Sequence, residues 1–233
     1  MLWPKLIRGV LLKRYQRFMV DVKLNNGHVV TAHCPNTGSM RACCEPGRTV
    51  YLFRHRTPSR RLPYTFELIE MPASLVGVNT AVPNRLVREA IQHRVIRDLE
   101  GYDGVRPEVR YGNHSRVDLL LESAQRGRCF VEIKNCTLVE QKIAYFPDAV
   151  TARGLKHLQE LQQQVQNGHR CVIFYLIQRM DACCFRPADH IDPAYGRAVR
   201  RAVQNGVEIM AWDVTIDCEK IALRRPVPCD LSW

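Results

Sequence analysis

Residues 131 to 135, Val-Glu-Ile-Lys-Asn, set a carboxylate and an ammonium two positions apart inside a run that otherwise reads as a core strand. Side chains along a strand alternate faces, so Glu132 and Lys134 share one face while Val131 and Ile133 take the other. A second carboxylate, Asp118, stands in the run Ser-Arg-Val-Asp-Leu-Leu-Leu (115–121). Ser-Ala-Gln-Arg-Gly joins the two runs, and a hairpin centred near Gln125 sets position 118 opposite position 132. Two carboxylates meeting on one face repel, and Lys134 alone does not balance them. A divalent cation does. Mg²⁺ or Mn²⁺ prefers oxygen ligands and keeps positions open for water and phosphate oxygens. Asp118, Glu132 and the main-chain carbonyl of Ile133 are the candidate ligands. Lys134 is placed to hold or deprotonate an attacking water and to offset charge on a phosphorane-like transition state. The same residues also fit a plain strand in which Asp118 and Glu132 face solvent and Lys134 is an ordinary salt-bridge partner.

Such a hairpin needs a sheet and covering helices. After Pro83 the spacing turns helical: Leu86, Ala90, Ile91, Val95 and Leu99 form an apolar stripe, with Asn84 as the expected N-cap and Glu89 as a helix-borne carboxylate that could complete a metal site. Strand-like runs 105–111, 115–122 and 129–140 follow, then a helix over about 151–166, a buried strand at 170–178, a helix at 195–204 and a final strand at 206–216. Helices flanking a mixed sheet are expected over residues 81–233. Lys156 and His157 begin the helix after the hairpin, where they could meet substrate; Lys156, Gln159 and Gln163 also fit a merely wet helix face.

Residues 1–80 read differently. Runs 6–15, 18–24, 28–34, 49–54 and 64–71 are short and strand-like, with Asn-Asn-Gly marking a hairpin turn between the second and third. Five short strands predict a small β-barrel, and the charge favours one that binds oligonucleotides, an OB barrel. Residues 1–72 hold twelve Lys or Arg against four Asp or Glu, so most of the net +11 is concentrated here, and a basic module attracts polyanions. Arg54, Arg56, Arg60 and Arg61 lie in Arg-His-Arg-Thr-Pro-Ser-Arg-Arg-Leu-Pro (54–63), an expected basic loop suited to backbone phosphates. Asn36, Thr37 and Ser39, in Pro-Asn-Thr-Gly-Ser-Met (35–40), offer hydroxyls and N–H groups for phosphate, although a turn or helix cap explains the same composition. Ten cysteines without a C-x-x-C pair are expected to be reduced and mostly buried. With no signal-peptide pattern and no long apolar run, a cytoplasmic protein without a membrane span is expected.

The spacing D-x₁₃-E-x-K resembles the PD-(D/E)xK nuclease pattern, and the order of helix, hairpin and helix is similar to that nuclease core. A more specific resemblance covers nearly the whole chain. His-Cys-Pro-Asn-Thr-Gly-Ser-Met (33–40), the 115–121 and 131–140 runs, and the segments at 146–161, 176–199 and 206–212 resemble the sugar fermentation stimulation protein A family of bacteria and archaea. The resemblance implies an N-terminal OB domain and a C-terminal PD-(D/E)xK-like domain. It also implies DNA binding, a nuclease assignment and a regulatory role in maltose metabolism, with the family's motif falling on Asp118, Glu132 and Lys134. Two expectations follow: a Mg²⁺- or Mn²⁺-dependent nuclease acting on DNA or RNA, or a non-catalytic DNA-binding regulator with a silent site. An RNA-binding accessory protein is a third.

Overall fold

The computed structural model describes residues 1–57, 60–112 and 115–232; Pro58 and Ser59 of the expected basic loop lie outside the described residues. The first body is built from β1 (Leu6–Tyr15), β2 (Met19–Leu24), β3 (Val29–His33), β4 (Thr49–Arg54) and β5 (Tyr64–Met71). They run in the order β3-β2-β1-β4-β5, and a parallel pairing of Ala32 with Tyr64 and His33 with Thr65 closes the sheet on itself. This is the five-stranded OB barrel. Closure removes the free edges, and a bulge between Leu11 and Lys13 lets the long β1 bend around it. Alternation fills the inside: Val20, Val22, Ala32, Leu52 and Phe66 are buried together. Phe18, expected to begin the second strand, stands in the preceding turn and is exposed.

A sixth strand, β6 (Ser74–Gly77), which the sequence reading did not include, pairs antiparallel with β5. Its four residues are too few to show a period. Their place is set by docking, since the Gly77 N–H donates to the Gln178 carbonyl and a Cβ at Gly77 would meet the Gln178 side chain at 2.6 Å.

The second body begins with α1 (Val82–Gln92), a 3₁₀ turn (Arg97–Leu99), and β7 (Gly104–Tyr111), β8 (Ser115–Ser123) and β9 (Gly127–Cys136). It continues through β10 (Leu138–Glu140), β11 (Ile143–Phe146), α2 (Ala152–Gln166), β12 (Arg170–Ile177), β13 (Cys184–Pro187), α3 (Pro193–Gln204), β14 (Glu208–Ile216) and β15 (Ile221–Pro226). The main sheet has the order β15-β14-β12-β9-β8-β7; β9, β12 and β14 are parallel and the other pairings antiparallel. β10, β11 and β13 form a separate small sheet. The expected 129–140 strand therefore breaks at Thr137, and β11, β13 and β15 join as short strands whose pairing supplies what their length does not.

Two apolar layers sandwich the main sheet. Leu86, Val87, Ala90 and Ile91 of α1 pack with Val131, Ile133 and Phe174, while Leu158, Leu161, Tyr195 and Val199 of α2 and α3 pack with Phe130, Ile173 and Tyr175. Val131 and Ile133 thus face α1, and Glu132 and Lys134 face α2. Ala81, not Asn84, is the N-cap residue of α1, and Asn84 lies inside the helix. Pro83 favours the earlier start because its fixed φ and missing N–H suit the first helical turn. The helix ends before Val95, which is exposed. The chain start crosses to the second body: Trp3 joins its core and donates Nε1 to the Asp217 carbonyl. No helix among the described residues is long and apolar enough to cross a membrane.

Candidate active site

The turn between β8 and β9 fixes the register Ser123↔Gly127 through Leu119↔Val131. One step further puts Asp118 opposite Glu132, but the ladder stops there. The Ile133 N–H, which continued pairing would direct to the β8 main chain, donates instead to Asp118 Oδ2 at 2.7 Å. The two strands therefore part at the carboxylate. In an extended strand the N–H and C=O of one residue point to the same edge. With its N–H on Asp118, Ile133 also turns its carbonyl toward that gap. Asp118 Oδ1 accepts from Asn84 Nδ2 at 2.7 Å, so α1 holds the carboxylate from the other side.

Glu132 is 2 % exposed. Its Oε1 accepts from Lys134 Nζ at 2.7 Å and from His157 Nδ1 in a very short contact. His157 Nε2 accepts from Arg153 Nε at 3.3 Å, which assigns the ring proton to Nδ1, facing Glu132. Glu132 Oε2 is buried and has no hydrogen-bond partner among the described residues. A buried carboxylate oxygen left unpaired is costly, and native structures rarely keep one without a use.

The two acids are driven apart in acidity. Burial, then the charge of Glu132, pushes the Asp118 carboxyl up to about 6 against the opposing pull of the Ile133 N–H, Lys134 and Asn84. Burial also acts to raise Glu132, but hydrogen bonds and charge from His157 and Lys134 outweigh it and hold its carboxyl below the ordinary value. Tyr111 and Glu160 add buried oxygens without hydrogen bonds nearby, and after burial the charges of Glu132 and Glu160 do most to raise the Tyr111 hydroxyl. Among the described residues no three His, Cys, Asp or Glu side chains converge as a metal group. What the site offers is two carboxylates and a main-chain carbonyl, a set that suits Mg²⁺ with several retained waters. Oε2 of Glu132 is the unclaimed ligand atom such an ion needs, so the residues fit a hard divalent cation.

The other expected residues divide. Glu89 does not join the cluster: it lies five residues beyond Asn84, more than a third of a turn away around α1, and pairs with the Met1 ammonium at 3.6 Å. His157 is buried against Glu132, so its place is inside the cluster and not on a strand-binding surface. Lys156 is half exposed and ion-pairs Glu160 at 3.7 Å. Asn36 is buried, and its Oδ1 caps the Gly38 N–H at 2.9 Å. Ser39 donates its hydroxyl to Asp148 Oδ2 at 3.3 Å. Thr37 is exposed and lines a cavity with Lys134.

Arg54, Arg56, Arg60 and Arg61 are all exposed. The Arg60 guanidinium folds back on the Leu62 carbonyl, His55 and Thr65, whereas Arg56 and Arg61 make no hydrogen bond or ion pair among the described residues. Together with Lys5 and Pro4, the first three arginines line an open pocket of about 870 Å³ on the barrel. Asn84, Arg153 and Asp148 were missed by the sequence reading. Asn84 carried a cap's composition, Arg153 sat one helical turn before His157, and nothing local marks Asp148 as the anchor of a loop more than a hundred residues earlier.

A family model described as the sugar fermentation stimulation protein RE domain matches residues 81–220, and one described as the SfsA N-terminal OB domain matches residues 12–78. A sugar fermentation stimulation protein homolog of Geobacter sulfurreducens is 53 % identical over 229 residues, covering 98 % of both chains. The homolog of Thioalkalivibrio sulfidiphilus is 48 % identical over 231 residues, covering 98 % of this chain and 97 % of the other. Among solved structures, Pyrococcus furiosus SfsA in complex with Ca²⁺ superposes with a TM-score of 0.90 at 26 % identity, over 99 % of this chain and 98 % of that one.

Proposed function

This chain belongs to the sugar fermentation stimulation protein family, and from that premise and the geometry of its carboxylate pair we propose that it is a metal-dependent nuclease hydrolysing phosphodiester bonds of DNA or RNA. The observation that carries this reading is the unclaimed, buried Oε2 of Glu132 opposite Asp118, where the β8–β9 ladder parts. Asp118, Glu132 and the Ile133 carbonyl would hold Mg²⁺ or Mn²⁺, and the Ca²⁺ in the Pyrococcus relative's structure supports a hard, oxygen-seeking ion. When bound, that ion supplies Lewis-acid polarisation of the phosphoryl group and a more acidic water.

The chain's own groups do the rest. Lys134 Nζ, tied to Glu132 Oε1, orients the attacking water and offsets charge gathering on the phosphoryl oxygens. His157 fixes the Glu132 carboxylate, and Arg153 fixes His157. The exposed arginines of the barrel loop hold the strand through its phosphates. Incubation of labelled single- and double-stranded DNA and RNA with Mg²⁺, Mn²⁺ or chelator tests this. Metal-dependent cleavage that disappears in Glu132→Ala is expected; binding with no cleavage under any ion would make the protein a non-catalytic nucleic-acid-binding regulator.

A further inference from the structure

A cavity of about 300 Å³ lies between the 35–40 loop of the barrel and the second body, with Lys134 in its wall. Asn36 and Thr37 face it from the barrel; Asn135, Tyr145, Phe146 and Arg153 face it from the second body. The amide orientations are fixed by main-chain partners. Asn36 Oδ1 accepts from the Gly38 N–H, so its amide nitrogen is the other atom. Gln178 Nε2 donates to the Asn79 carbonyl at 3.2 Å and to Asn135 Oδ1 at 2.7 Å, which leaves the Asn135 amide nitrogen as a donor. No group among the described residues accepts from either nitrogen. The one acid in the wall, Asp148, is already committed to the Ser39 hydroxyl and the Met40 N–H. The cavity therefore presents two amide donors, an ammonium and a guanidinium beside aromatic rings, the inverse of an acceptor-rich, flat anion.

Its size is held rigidly. Asp148 ties the 35–40 loop to the second body, and the Arg14 guanidinium donates to the carbonyls of Asn36, Gly38 and Ser39 at 2.8 to 3.1 Å. Arg179 adds a bond to the Thr137 carbonyl from below. A volume at the bottom of the ~300–1,000 Å³ range of small-ligand clefts accepts one nucleotide and excludes a base pair. Arg60 of the basic barrel loop acts, after burial, to lower the pKa of His33, and the strand that carries His33 runs directly into the 35–40 loop.

We propose that this cavity takes one unpaired nucleotide beside the phosphate being cut, so that the protein acts on single-stranded nucleic acid. What happens at Lys134 rests on the nuclease reading above; occupancy of the cavity does not. The nucleotide's phosphate meets Lys134 and Arg153, its base meets the amide donors, and Tyr145 offers a ring for stacking. A duplex reaches the site only where it is frayed or flipped.

Binding is measured in chelator, where no cutting occurs, using the full-length protein and a single-stranded DNA carrying 2-aminopurine at one position at a time, alone and annealed to its complement. Single strand binding roughly tenfold tighter than duplex is expected, with a fluorescence change confined to one or two positions. Thr37→Trp and Thr80→Trp fill the cavity from exposed positions on different loops, and each is expected to weaken single-strand binding about tenfold and erase the position-specific change. Equal affinity for duplex, no position-specific signal, or undiminished binding by both filled variants that melt like the parent would overturn the proposal. Cleavage is scored separately with Mg²⁺ and Mn²⁺. A cavity signal without cleavage upholds the cavity and removes the nuclease reading alone; cleavage of duplex without a cavity signal removes the cavity alone.

Discussion

Two buried acids of the second body, Asp213 on β14 and Glu132 on β9, receive opposite treatment. Asp213 is fully buried, and both of its oxygens are claimed: Oδ1 by Arg224 Nε at 3.0 Å, and Oδ2 by Arg224 Nη2 in a very short contact and by Arg225 Nε at 3.4 Å. Glu132 is nearly as buried, yet one of its two oxygens has no partner, and its neighbour Asp118 carries a raised pKa where a strand pairing has been given up. A satisfied buried acid is architecture. An unsatisfied one, facing a second acid in a gap of the sheet, is the feature on which the proposed metal site rests.

The largest effects should separate these two acids. Glu132→Gln keeps the shape and is expected to lower cleavage by about a thousandfold or more while the melting temperature falls by only a few degrees, through the loss of an ionised partner for Lys134 and His157. Asp213→Asn leaves two guanidinium groups with a neutral partner and is expected to cost about 3 kcal/mol, several degrees in melting, with residual cleavage by the folded fraction. If Asp213→Asn were the variant that kept its stability and lost chemistry, the distinction would be wrong.

A sharper version uses pH. Asp118 titrates near 6 when folded against 3.8 ordinarily, so its folded form binds the proton more tightly. Its burial therefore costs stability once it ionises: stability in chelator is unaffected below about pH 4, falls as pH rises through that window and stays reduced above about 6. Asp118→Asn is expected to raise the melting temperature by a few degrees at pH 7 in chelator and to lose most of that advantage near pH 4, followed by thermal scans across pH. Glu132, held below its ordinary value, works in the opposite sense, and Glu132→Gln lacks that gain.

The smallest effect belongs to the barrel. Arg56→Ala and Arg61→Ala, at exposed arginines with no hydrogen-bond or ion-pair partner among the described residues, are expected to weaken nucleic-acid binding a few-fold each and to reduce the slope of log affinity against log salt by about one each. Cleavage at saturating substrate should be nearly unchanged. An unchanged salt slope would take the loop out of the binding path.

Much of the hairpin was legible because it rests on local rules. A two-residue side-chain period puts Glu132 and Lys134 together, and the turn centre near Gln125 sets Asp118 against them. The barrel was legible from five alternating runs and a hairpin turn. β6, β11, β13 and β15 were not, since four to six residues without clear alternation show no period and these strands exist through what they pair with. Asn84 shows the same limit in a single residue: its composition says cap, and the pitch of α1 over the sheet makes it a carboxylate clamp.

The sequence by itself determined that Glu132 and Lys134 share a face and that the β8–β9 register runs as far as Leu119↔Val131, because side-chain alternation along a strand and the length of the turn decide these. Tertiary structure alone decided that Glu89 turns away to the Met1 ammonium while His157 presses on Glu132, and that Asp148 locks a barrel loop beside Lys134. Those contacts span 25 to 108 residues of chain, and which helix face or loop fills a gap depends on how whole layers pack, a quantity no local stretch of sequence contains.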